Sequence, residues 1–227
     1  MSWLTFDAPN ALVTQCTAAR EMAWGRDNLD GWGFAWLDDG RPRSYRTGRS
    51  LTDDDEGRQM LRAVTSDRFI VHVRQKTPGS ETSERNSAPF SDRGRFFTHN
   101  GYVSGFREGA REQLLAKISP ERAAGIQGDT DSEVLFALVL DRLDQGASAP
   151  DAVRVVAEVG EVCGGRYNVL LWSDSEIVAT RWDNSLYTNH SIGGVVSSEP
   201  LDEGRWDEVP ERTMVVLSDH GIRLEDW

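Results

Sequence analysis

Residues 68–101 read RFIVHVRQKTPGSETSERNSAPFSDRGRFFTHNG, and the rest of the chain is organised around this stretch. Arg68–Arg74 is rich in β-branched and aromatic residues and has no breaker, so it is expected to form a strand. Gly94–His99 is expected to form a second. The polar run between them, with Pro78, Gly79 and Pro89, reads as a long loop. Arg74, Gln75 and Lys76 follow the first strand, and Thr98, His99, Asn100 and Gly101 close the second. Binding and catalytic groups concentrate on loops held by a rigid scaffold, so these strand ends are the first place to look for a site.

Upstream, DNLDGWGFAW (27–36) enters a strand carrying Trp32, Phe34 and Trp36 after a glycine-marked turn. Asp38, Asp39 and Gly40 suggest a hairpin, with 43–47 returning. Acidic residues 53–56 followed by Gln59, Met60, Leu61 and Val64 predict a helix. Residues 11–24 fit either a helix or irregular chain.

Downstream, 109–118 has helical period and 119–128 reads as a connector. The run 129–143, DTDSEVLFALVLDRL, predicts a helix capped by Thr130 or Asp131. Residues 145–150 read as a loop and 151–159 as another helix. Strands are expected at 167–172, 176–181, 194–197, 213–217 and 222–224. The order of strands, then helices, then strands, with no linker or repeat, favours one α+β domain over 1–227 rather than a βαβ repeat.

Composition narrows the function. The 227 residues carry a net charge of −12, which disfavours nucleic acid and anionic membranes as partners. Two cysteines make no disulfide framework and point to a reducing, cytoplasmic setting. No segment reads as a signal peptide or a membrane span. The histidines have no zinc spacing, and there is no phosphate-binding loop or serine elbow. His72, in mid-strand, reads as a satisfied interior or sheet-face residue rather than a ligand.

What remains suits a zwitterionic amino acid. Arg74 could pair with a carboxylate through two N–H groups. Asp131 could take an ammonium, and Asn100 with Gly101 could supply donors to an oxyanion.

HVRQKTPG, ERNSAPF, THNG and GDTDSEVLFAL, in that order, resemble the glutaminase domain of class II glutamine amidotransferases, which are N-terminal-nucleophile enzymes. NLDGWGFAW and SSEPL are similar to its small standalone branch, which includes the γ-glutamyl amidohydrolase of ergothioneine biosynthesis. The resemblance runs from about Phe6 to the C-terminus. It implies a four-layer αββα sandwich of two antiparallel sheets. It implies hydrolysis of the γ-amide of glutamine or of a small γ-glutamyl compound, with no cofactor and no metal. It places the substrate carboxylate on Arg74, the ammonium on Asp131 and the oxyanion on Asn100 and Gly101. Asn28, Asp30 and Gly31 would shape the pocket floor, Asn86 and Pro89 would border it, and His99 would support the site. A homodimer, or a partner synthase receiving ammonia, stays open.

One feature departs from the family. There the nucleophile is an N-terminal cysteine whose own α-amine, with a pKa near 8, serves as base. Here residue 2 is Ser2, and SWLTFDAPNAL resembles the segment that follows the family's first strand. The fold is therefore expected to lack that strand. Three readings compete: a start upstream with Met-Cys, a protein that binds γ-glutamyl ligands without cleaving them, or recruitment of Ser2. Cys16, mid-chain, has no adjacent free amine and is not expected to substitute.

Overall fold

The computed structural model describes residues 1–21, 27–190 and 194–227. After a π-helical turn at Trp3–Asp7, helix α1 spans Leu12–Ala18. The helical alternative for 11–24 thus holds in its first part, and positions 22–24 of that expectation lie outside the described residues.

Strands β1 (Trp32–Asp38), β2 (Arg41–Thr47) and β3 (Phe69–Val73) form one antiparallel sheet in the order β2-β1-β3. The second sheet runs β12-β11-β7-β6-β5-β4. Its strands are β4 (Phe90–Asp92), β5 (Arg95–Val103), β6 (Gly165–Ser173), β7 (Glu176–Arg181), β11 (Thr213–Ser218) and β12 (Gly221–Asp226). A small ribbon, β10-β8-β9, is built from Asp207–Glu208, Tyr187–Asn189 and Val195–Ser197.

Side-chain alternation stacks these elements into layers. Trp32 and Phe34 face outward with Leu51 and Leu61, beneath helix α2 (Asp55–Ala63). Ala35 and Ile70, on the opposite face, meet Phe96, Trp172 and Ile177 of the second sheet. The far side of that sheet packs Phe97, Leu171 and Val178 against helices α5 (Asp131–Asp144) and α6 (Ala149–Cys163). The result is an α+β sandwich with two principal antiparallel sheets between helices, as the motifs implied.

Several boundaries move. Helix α3 is only Ala110–Leu115, and the expected connector 119–128 holds a further helix, α4 (Pro120–Ala124), because Ser119 caps it by accepting from the Arg122 amide. Of the two cap candidates for α5, Thr130 is the one whose hydroxyl accepts from the Glu133 amide at 3.3 Å. Helix α6 starts earlier than expected, since Ser148 caps it and Pro150 fits its first turn. Strands β4, β8 and β10 are too short to carry a visible alternation.

The most consequential shift is in β5. Asn100 and Gly101 do not follow the strand; they lie inside it, paired with Asn168 and Tyr167 of β6. A partner strand more than sixty residues away extends β5 past the point where local propensity would end it.

Candidate functional site

Where β3 ends beside the middle of β5, a cleft of about 530 Å³ opens between the sheets and the start of α5. Asn28, Arg74, Asn86, Asn100, Gly101 and Asp131 all line it. Asp30 and Gly31 do not; they stand behind Arg74 and shape the cleft indirectly. The Asp30 carboxylate holds the amide of Lys76 at 3.1 Å and the hydroxyl of Thr82 at 3.2 Å, and so ties down the loop after β3. Gly31 has φ +136°, and a Cβ there would run into the Thr47 carbonyl at 2.9 Å, so only glycine fits.

Arg74 is buried, yet no carboxylate touches its guanidinium among the described residues. It donates from Nη1 to the carbonyls of Asp30 and Glu81, each at 3.2 Å, and from Nη2 to Ser80 Oγ at 2.9 Å. These bonds aim the group and leave part of its donor fork open. Burial lowers its pKa, an effect that Asp30, Asp129 and Asp131 oppose from a distance. A guanidinium stays charged under such a shift, and a buried cation of this kind favours an anionic ligand.

Asp131, in the first turn of α5, is also buried. Its Oδ2 accepts from the Val103 amide at 2.8 Å and its Oδ1 from the Ser132 amide at 2.7 Å. The carboxylate is held by neutral backbone donors, and Asp131 lines the cleft. Asn86 reaches the Glu81 carbonyl at 3.0 Å and Asp129 Oδ1 at 2.7 Å, clasping the two loops that flank the opening.

His99 also lines the cleft, but both ring nitrogens are engaged: Nδ1 with Ser132 Oγ at 3.1 Å and Nε2 with the Arg166 carbonyl at 2.9 Å. These two bonds fix the ring against β6 and α5. His72 differs from the satisfied interior residue expected. Its Nδ1 is buried without a hydrogen-bond partner among the described residues. Burial, followed by the charges of Arg74 and His99, pushes its pKa down to about 4, so the ring is neutral at pH 7.

A second cavity of about 270 Å³ continues inward from the first, and Asn28, His72, Val73 and Asn100 line both. The consecutive residues 67–73 and 194–199 form facing walls of this inner cavity. Strands β3 and β9 each stand at the edge of their own sheet there.

Cys16 is fully buried in α1, with Sγ 3.4 Å from the Leu12 carbonyl, and burial pushes its thiol up to about 12. It is not a nucleophile at neutral pH. Among the described residues no group of His, Cys, Asp and Glu is placed to hold a metal ion. No helix there is long and apolar enough to cross a membrane.

Sequence reasoning did not single out Ser80, Ser132, the Val103 amide or the Arg166 carbonyl. Ser132 sits inside the GDTDSE motif, so its neighbourhood was visible. The other three act through partners that only the fold brings close.

Two antiparallel sheets packed face to face between helices, with a cleft at the end of the strands, define the architecture of N-terminal-nucleophile hydrolases. The chain belongs to the class-II glutamine amidotransferases, whose family model matches residues 3–191. It is 33% identical to the gamma-glutamyl-hercynylcysteine sulfoxide hydrolase of Mycolicibacterium smegmatis over 220 residues, 95% of this chain and 89% of that one. Among solved structures, a glutamine aminotransferase class-II domain protein from Silicibacter pomeroyi superposes with a TM-score of 0.69 at 29% identity, covering 86% of this chain and 91% of that one. The glutamine phosphoribosylpyrophosphate amidotransferase of Bacillus subtilis shares the fold, with a TM-score of 0.64 at 18% identity over 95% of this chain and 44% of that one.

Proposed function

We propose that the cleft binds the glutamyl head of glutamine or of a small γ-glutamyl compound, and that the protein's reaction is hydrolysis of the γ-amide. The observation that carries this reading is the pair Arg74 and Asp131: a buried cation without a contacting anion and a buried anion held by neutral donors, lining one cleft. A guanidinium fork suits an α-carboxylate, and the carboxylate suits an α-ammonium. Asn100 lines both the cleft and the inner cavity and Gly101 lines the cleft, so a γ-carbonyl directed inward would meet them. Their donors would stabilise the oxyanion of a tetrahedral intermediate.

Hydrolysis also needs a nucleophile at the Asn100 end. Cys16 is excluded by its burial. The inner cavity, walled by two edge strands and joined to the cleft, suits an extended segment whose leading cysteine would attack the γ-carbonyl, with its terminal amine as base. The amide nitrogen would leave as the amine, taking the proton held by that terminal amine, and water would then cleave the γ-glutamyl thioester to glutamate and the free thiol. The name of the M. smegmatis relative and the size of the cleft favour a γ-glutamyl conjugate over glutamine alone. A second reading, binding without cleavage, is favoured by the inert Cys16.

The test has two arms. Calorimetric titration of the 227-residue protein with glutamine and glutamate is expected to show binding that Arg74→Ala abolishes. Absence of binding would reject the glutamyl pocket. The same protein preceded by a cysteine-led apolar strand is expected to release glutamate from γ-glutamyl amides. Inactivity on all of them, with binding intact, would leave the non-cleaving reading.

A further inference from the structure

The polar residues beneath the cleft fix the direction of one hydroxyl proton. The Arg166 carbonyl can only accept, so His99 Nε2, 2.9 Å away, carries the ring hydrogen. In the neutral tautomer with that hydrogen on Nε2, Nδ1 is a bare acceptor, and its neighbour at 3.1 Å is Ser132 Oγ. The Ser132 hydroxyl has one proton and two candidate acceptors, the other being Asp131 Oδ1 at 3.2 Å. Asp131 Oδ1 already receives the Ser132 amide at 2.7 Å, whereas His99 Nδ1 has no other donor among the described residues. The hydroxyl proton therefore goes to His99. That choice turns the lone pairs of Oγ away from the ring, and Ser132 lines the cleft beside Asp131.

We infer that Ser132 Oγ is a second acceptor for the ligand's α-ammonium, alongside Asp131, and that His99 is the positioning residue that keeps its lone pair turned toward the ligand. The inference rests on the glutamyl-binding reading and names which part of that ligand is recognised twice. An ammonium has three donors and needs more than one carboxylate oxygen to replace its water shell. A hydroxyl oxygen made more basic by donating to imidazole is well suited to the second place. The chain Arg166 carbonyl, His99, Ser132 spans β6, β5 and α5, so the acceptor is preorganised by tertiary structure rather than by its own loop.

The experiment compares two ligands on the 227-residue protein: glutamine, and 4-carbamoylbutanoate, which is glutamine without its α-amino group. Ser132→Ala is expected to weaken glutamine binding about tenfold, the scale of one charge-assisted hydrogen bond, while leaving the affinity for 4-carbamoylbutanoate unchanged. Ser132→Thr, which keeps the hydroxyl, is expected to restore glutamine binding. His99→Phe is expected to weaken glutamine selectively, because the freed hydroxyl turns toward Asp131 Oδ1 and competes for it. Equal losses for both ligands in Ser132→Ala, or none for either, would overturn the assignment. If glutamine does not bind the parent protein at all, the glutamyl reading itself fails, and that outcome is separate from the first two. Thermal melting of each variant, together with its retained affinity for 4-carbamoylbutanoate, shows that the fold is intact.

Discussion

Replacing Gly101 with alanine is expected to damage β5 at the point where the cleft depends on it. Gly101 has φ +159° and pairs with Tyr167 in the β5–β6 ladder. An added Cβ would overlap the carbonyl group of Arg166, lying 2.6 Å from its carbon, and would stand 2.8 Å from His99 Nε2. These neighbours are backbone and a packed ring, so neither can step aside by changing rotamer. Overpacking of this sort costs about 1–3 kcal/mol, and the strained backbone adds a similar amount. If the Arg166 carbonyl moves, His99 also loses the acceptor it meets at 2.9 Å, and an unsatisfied buried donor costs about 1–3 kcal/mol more. A total of roughly 3–9 kcal/mol would lower the melting temperature by roughly 6–36 °C for a chain of this size. Gly105→Ala is the control. Gly105 also has positive φ, +65°, but a Cβ there meets nothing within 4 Å. It therefore carries the backbone cost without the clash, about 1 kcal/mol. Melting curves of both variants, followed by circular dichroism, make the comparison. A Gly101→Ala protein that melts within about 2 °C of the parent and still binds glutamine would refute both the close approach and the placement of Gly101 at the oxyanion site.

Two further perturbations follow from ionisation. Burial, and then the hydrogen bond its hydroxyl makes to Asp54 at 2.7 Å, raise the pKa of Tyr45 to about 12, while Tyr167 and Tyr187 are raised chiefly by burial. A raised acid favours the folded state while protonated, so this stability is complete below pH 10 and is lost as pH rises through about 12. Tyr45→Phe should flatten the fall in melting temperature across that window, and an unchanged slope would argue against the buried Tyr45–Asp54 contact. Cys16, with its thiol pushed up to about 12, should resist iodoacetamide at pH 8 in the folded protein while half-buried Cys163 reacts, as read by mass spectrometry of peptides. Rapid alkylation of Cys16 would mean that α1 opens readily.

The motifs around Arg74, Asn86, Asn100 and Asp131 were legible because each is a short run whose residue types match one piece of amino-acid chemistry. The alternation in Trp32–Trp36 and the apolar face of α5 likewise announced layers, since period alone tells strand from helix. Local pattern failed where the deciding partner is remote. Nothing in THNG says that Asn100 and Gly101 stay in the strand; pairing with Asn168 and Tyr167 of β6 does. Nothing in HVRQKTPG says that Arg74 is tied to Ser80, Glu81 and Asp30, which sets both its aim and the shape of the loop. Ser132 looked like an ordinary first-turn residue until His99 and the Arg166 carbonyl gave its proton a direction. The residue types that can recognise a zwitterion are thus written in the sequence. Their burial, orientation and proton placement are set by tertiary structure, because each depends on hydrogen-bond partners that only the packed sheets bring within 3 Å or so.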